Sequence, residues 1–184
     1  RLLVAARDTS VTDTIRAIEE APPSSAGSQA PADSSLSSLK SLRFPADPVH
    51  DFAFVTAPDY VRAGTTWDGT LIRTLLFGDN APKWKGAFAT TVDAFRQYEE
   101  LVGPYIWPQF TATESFNSGG AMEYPMLIMN DPDLTSGEWE YLDPTLAHEL
   151  GHNWFYGMIA NDERRHPWLD EGFSQFLESH FTDI

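Results

Sequence analysis

The residues with the most chemical content stand close together late in the chain, as His148-Glu149-Leu150-Gly151-His152. Two histidines four positions apart on a helix lie one turn above each other, so His148 and His152 can offer two imidazole nitrogens to one metal at about 2.0–2.1 Å. Glu149 is turned from His148 by roughly 100°, which keeps it beside that metal without ligating it. This is where a general base belongs. A zinc-bound water has its pKa lowered to about 7, and an adjacent carboxylate can take its proton as the water attacks a peptide carbonyl. Taken alone, the five residues read equally well as two surface histidines with a salt-bridging glutamate. A third ligand separates the two readings. Eighteen residues lie between His152 and Glu171, which sits in Trp168-Leu169-Asp170-Glu171-Gly172-Phe173, and two His with one Glu make a catalytic zinc site with an open fourth position. The pattern that continues into a Gly and a third His is excluded, because those places hold Phe155 and Met158.

Such a site needs two helices, and the chain supplies signals for both. Asp143 followed by Pro144 starts a helix running to about Ala160, since Asp caps free N–H groups and Pro fits the first helical position; a second runs from about Pro167 to the end. Further upstream, Phe88, Val92, Phe95, Tyr98 and Leu101 recur every three or four residues and mark an amphipathic helix ended by Gly103-Pro104. Strand texture is expected at Val49 to Thr56, at Thr66 to Phe77, and as a pair at Gln109 to Phe116 and Met122 to Met129. Before these, residues 22–41 hold eight Ser and three Pro with only two Leu, too little apolar surface to repay ordering, so they read as a linker or surface loop. Val11, Ile15 and Ile18 are spaced for a short helix ahead of it. The chain is thus divided into an N-terminal segment of uncertain role, residues 1–44, and residues 45–184, which hold these elements and the site.

Composition narrows the classes further. With 12 Lys and Arg against 27 Asp and Glu, the formal charge of the 184 residues is −15, the wrong sign for binding nucleic acid phosphates. No Cys is present, so disulfides, thiol nucleophiles and cysteine-ligated metals are excluded, and any metal must sit on His, Asp or Glu. A hydrophobic share of 42% is enough for a real core, yet no uninterrupted apolar run approaches the roughly 18 residues of a membrane span. Arg1 to Ser10 lack a secretory apolar region, and localisation stays undetermined. With no initiator Met and a helical-looking final stretch, both ends read as cuts through a longer protein.

Three motifs in this order resemble the gluzincin aminopeptidases of the aminopeptidase N type, which include the leukotriene-hydrolase enzymes. They are Gly120-Ala121-Met122-Glu123-Tyr124, His148 to Phe155, and Trp168 to Phe173. The sequence looks most like a bacterial branch in which Tyr-Pro follows the Glu of the first motif, as Tyr124-Pro125 does here. The commoner pattern has Asn at Tyr124 and Gln at Asn153. The resemblance runs from about His50 to Ile184 and implies an α+β, thermolysin-like catalytic domain, a small sheet followed by zinc-binding helices.

It also implies roles. His148, His152 and Glu171 would bind one Zn2+ per chain, and Glu149 would be the base and later the proton donor to the leaving amine. Glu123 would hold the free α-amino group of a peptide substrate, an ammonium paired with a fixed carboxylate. The backbone of Gly119, Gly120 and Ala121 would pair with the extended substrate, small residues permitting close approach. Two turns after Glu171, Glu178 could accept the free N–H of a ligand histidine and orient it; an ordinary solvated carboxylate is the other reading. Asn153 and Asp170 flank ligands and could tune them, but each reads equally well as a surface or capping residue, so neither is assigned a role. His50 and His180 read as structural. His166, in a turn, has no fixed geometry with the ligand helices.

Family members stabilise the oxyanion with a Tyr well downstream of the third ligand, whereas all six Tyr here precede Glu171; the remainder of the catalytic domain and a helical domain are expected in the full-length protein. The expected activity is removal of N-terminal residues from peptides by metal-activated water. A thermolysin-type endopeptidase, with its third Glu at nearly the same spacing, is the enzymatic rival, and Gly120-Ala121-Met122-Glu123 speaks against it. A zinc-stabilised binding module without catalysis is the rival from another class.

Overall fold

The computed structural model describes residues 2–3, 46, 48–84, 86–116, 120–131 and 142–183. Strands β1 (Leu2–Leu3) and β2 (Val55–Thr56) pair antiparallel. A five-stranded mixed sheet follows, built from β3 (Tyr60–Trp67), β4 (Thr70–Phe77), β5 (Gln109–Glu114), β6 (Ala121–Tyr124) and β7 (Leu127–Asn130) in the order β3-β4-β5-β7-β6. Strands β4, β5 and β7 run parallel to one another, while β3 and β6 close the two sides antiparallel. Helix α1 (Ala87–Val102) is the crossover between β4 and β5, and α2 (Leu142–His152) and α3 (Glu171–Thr182) carry the motif residues. The class is α+β, as expected. Among the described residues no helix is long and apolar enough to cross a membrane.

Period-2 alternation along the strands feeds two cores. Ile72, Phe110 and Ile128 point to the helix side, where they meet Phe95 and Tyr98 of α1, Leu146 and Leu150 of α2, and Leu177 of α3. Leu75, Leu127 and Met129 point to the opposite face and pack with Val55. Each large apolar side chain so buried contributes about 1.5–3 kcal/mol, and the helix-side cluster is what fixes α2 and α3 over the sheet. The expected α1 forms on schedule, and Gly103 ends it at φ 114°, donating its N–H to the Glu99 carbonyl at 3.1 Å. Leu101, expected on its buried face, is 42% exposed.

Several boundaries differ from the sequence reading. The single strand expected from Thr66 to Phe77 is broken by Asp68-Gly69, both at positive φ (43° and 86°), a two-residue hairpin turn that starts a new strand at Thr70. Strand β3 escapes detection because it is largely solvent-exposed and lacks apolar alternation. Of Val49 to Thr56 only Val55–Thr56 is strand. The segment Met122 to Met129 is two strands, turning at Pro125-Met126. The helix expected to reach Ala160 is α-helical only to His152; Asn153–Met158 form a π-helical turn, with Ile159 N–H donating five residues back to Trp154 at 3.3 Å. The helix expected from Pro167 is a 3-10 turn, Pro167–Leu169, and α3 starts at Glu171. The short helix at Val11 to Ile18 and the 22–41 loop lie outside the described residues.

Two glycines mark close approaches. At Gly151, in the α2–α3 crossing, a Cβ would stand 3.3 Å from both Ser174 Cα and Leu177 Cδ1. At Gly157 a Cβ would stand 2.9 Å from Cη2 of the buried Trp107. Gly157→Ala gains about 0.5–1 kcal/mol of helix propensity but overpacks the Trp107 contact at a cost of about 1–3 kcal/mol, so net destabilisation is expected. Urea unfolding checks it, and an increased midpoint would contradict it.

Candidate active site

Helix α2 stacks His148 and His152 on one side, their ring centroids 4.7 Å apart. Glu171, the first residue of α3, comes to them from across the α2–α3 crossing. Its Oε2 lies 3.1 Å from His148 Nε2 and 3.7 Å from His152 Nε2. Atoms bound at about 2.0–2.1 Å around a tetrahedral centre lie about 3.3–3.4 Å apart, so the spacing of this donor set fits a zinc-sized ion, and its N2O composition is suited to zinc. All three donors fall within 4.8 Å of one another.

The other ring nitrogens are held by carboxylates. His148 Nδ1 lies 3.0 Å from Glu178 Oε2, and that oxygen also accepts from Gln175 Nε2 at 2.8 Å. His152 Nδ1 is bound to Asp170 Oδ1. An ionised carboxylate only accepts, so each ring donates from Nδ1 and turns its Nε2 toward Glu171. His152 is 1% exposed. Burial opposes its charge, but the Asp170 hydrogen bond and the carboxylates of Glu123 and Glu149 outweigh that and raise its pKa. A second donor set, Glu123, His152 and Asp170, also falls within 4.8 Å. It shares His152, and its Asp170 oxygen is already taken by Nδ1, which leaves the His148 set as the better fit.

Asp170 makes a contact to His152 that the sequence reading did not choose among its alternatives. A cap was one alternative there, but Asp170 makes no side-chain capping bond to α3 and its carboxylate is buried on His152. The available signal was its position directly before Glu171, which carries it to the same crossing. With His152 taken as a ligand, Asp170→Ala is expected to lower zinc affinity by about 10–100-fold, read by competition with a chelating dye; an unchanged affinity would show that His152 needs no orienting partner.

Glu149 is 7% exposed, and its Oε2 has no hydrogen-bond partner among the described residues. Burial pushes its pKa up to about 8; nearby Glu123, Glu171 and Asp170 add to the rise and His152 opposes it. Glu123 lies on β6, the edge strand, and its pKa is raised by burial first, with His152 pulling it back. Ala121 opens β6, and Gly120 precedes it with its carbonyl accepting from Asp131 N–H at 3.0 Å. Nothing among the described residues lies within 4 Å of where a Cβ at Gly120 would be. Gly119 lies outside the described residues. His50 packs edge-on to Tyr156 at 4.5 Å and His180 stacks on Phe176, and neither belongs to a donor set; His166 is exposed.

Residues 87–184 match the peptidase family M1 domain. The chain belongs to peptidase family M1. The matched M1 stretch begins at the first residue of α1 and contains every residue of the site. Leucine aminopeptidase 2 of Aspergillus clavatus is 34% identical over 98 residues, 52% of this chain and 16% of that protein. Leukotriene A-4 hydrolase of Xenopus laevis is 35% identical over 94 residues, 50% of this chain and 15% of that protein. A second leucine aminopeptidase 2, from Sclerotinia sclerotiorum, is 39% identical over 83 residues, 44% of this chain and 13% of that protein. The matched stretches of this M1 chain cover less than a fifth of the length of these relatives.

Proposed function

We propose that the chain carries the zinc site of an aminopeptidase that removes N-terminal residues from peptides, within a thermolysin-like catalytic domain to which residues 45–184 contribute the first part. The observation that carries this reading is the convergence of His148, His152 and Glu171 beside the buried carboxylate of Glu149, whose Oε2 has no partner among the described residues. His148, His152 and Glu171 would hold the metal. A bound Zn2+ supplies Lewis acidity, lowering the pKa of water to about 7 and polarising a carbonyl oxygen.

Glu149 takes a proton at Oε2 as the water oxygen attacks the scissile carbonyl carbon. When the C–N bond breaks, the same carboxyl returns the proton to the leaving amine nitrogen. Its raised proton affinity, a result of burial, suits it to hold the proton between these steps. Asp170 and Glu178 keep the two imidazoles oriented through Nδ1. Glu123, on the edge strand beside His152, pairs with the α-ammonium, and the β6 edge at Gly120 and Ala121 receives the extended substrate. The names of the relatives, leucine aminopeptidase 2 and leukotriene A-4 hydrolase, support the same class.

The deciding test compares a peptide arylamide bearing a free amine with its N-acetylated form, using the full-length protein. Cleavage of the free amine alone is expected, because acetylation removes the charge that Glu123 pairs with. Equal cleavage of both would remove that role and favour an endopeptidase.

A further inference from the structure

Asn153 follows His152 directly and is fully buried at the start of the π-helical turn. Its side-chain oxygen, Oδ1, accepts from Met126 N–H at 2.8 Å and from the Tyr105 hydroxyl at 3.2 Å. Met126 occupies the turn Tyr124-Pro125-Met126-Leu127 that joins β6 to β7. Its φ is 64°, a left-handed conformation that costs a residue with a Cβ on the order of 1–2 kcal/mol and that a turn with Pro in second place ordinarily gives to Gly or Asn. The surroundings hold Met126 there. Its N–H goes to Asn153, its carbonyl accepts from Thr111 N–H at 2.9 Å, and its side chain is buried.

Strand β6 is a sheet edge paired only with β7 among the described residues. Its turn end is therefore anchored by the residue next to a histidine of the donor set. Three links separate His152 from Glu123: the peptide bond to Asn153, the hydrogen bond to Met126, and the few backbone bonds from Met126 back to Glu123. The geometry points to Asn153 as a positioning residue that sets the distance between Glu123 and the metal, and so where the amino end of a peptide is held relative to its scissile bond. This rests on the reading of Glu123 as the ammonium site. Asn153 touches no substrate; it acts through the turn.

The test is a double-mutant cycle in the full-length protein with a free-amine aminoacyl arylamide, combining Asn153→Ala and Glu123→Gln. A misplacement of about 1 Å costs on the order of 10²-fold in catalysis, so Asn153→Ala is expected to lower kcat/KM by that order, chiefly through KM, with zinc content retained. In the Glu123→Gln background the same change should do little more, because nothing is left to position. Tyr105→Phe removes the other donor to Asn153 without reaching the turn and should leave KM unchanged. If Asn153→Ala does not fold, Asn153→Gln keeps the carboxamide, moves its oxygen by one methylene and reads the same cycle. An unchanged KM in the Asn153 variant, or losses that simply multiply with an effective Glu123→Gln, would overturn the positioning role alone. An unchanged KM in Glu123→Gln would overturn the ammonium site and this inference with it.

Discussion

Glu149→Ala is expected to leave zinc bound and to lower kcat by about 10²–10⁴-fold, the range for losing a positioned general base. Glu149 lies on α2 between the two histidines, yet the donor atoms that converge belong to His148, His152 and Glu171; removing Glu149 takes nothing from the donor set. The fold should survive as well. The carboxylate is buried and its Oε2 has no partner among the described residues, so deleting that oxygen forfeits no bond described there. Glu149→Gln separates shape from chemistry, since it fills the same space without a proton-accepting oxygen pair. Metal content and steady-state kinetics of the full-length protein measure both halves of this expectation, and retained turnover in either variant would end the general-base assignment.

The second large effect is on the metal. On the proposed reading, Glu171→Ala removes the donor that α3 contributes to the set, leaving two histidines from a single helix. The loss should exceed the about 10–100-fold typical of removing a group that only orients a ligand. Elemental analysis after dialysis is expected to give about one zinc per chain for the unaltered protein and far less for the variant. Asp170→Ala then gives an internal scale, being the smaller of the two losses. Unchanged zinc in Glu171→Ala would hand the third position to another carboxylate, with Glu123 and Asp170 the groups near enough to His152 to take it.

What could be read in the sequence was what depends on near neighbours. The stacking of His148 over His152 follows from helical periodicity, and α1 announces itself by a three-to-four residue repeat with Gly103 to close it. Glu178 could be paired with a ligand histidine because it lies two turns from Glu171 on the same helix, and its oxygen stands 3.0 Å from His148 Nδ1. Asp170 could not be resolved this way. Capping, solvation and orienting a histidine are all compatible with an Asp before a helix, and only the α2–α3 packing decides among them. The split of Met122 to Met129 was partly legible, since Pro125 cannot donate in a central strand. The left-handed Met126 was not, because its conformation is imposed by Asn153 and Thr111 from elsewhere in the chain. The π-helical turn has no local signature either; it coincides with contacts made by Asn153, by Trp154 to the Gly103 carbonyl, and by Gly157 against Trp107.

Gly151 stands inside the motif at a position that neither ligates nor catalyses. Because it has no side chain, α2 and α3 meet there at backbone distance, with Ser174 and Leu177 directly opposite. His148 and His152 lie on one side of this fulcrum and Glu171 on the other, so the span between the nitrogen and oxygen donors is set by a packing contact in the core. As the proposed metal centre, the site is a caliper whose jaw opening is set at its hinge, and the ionic radius it would accept is inherited from how tightly two helices close.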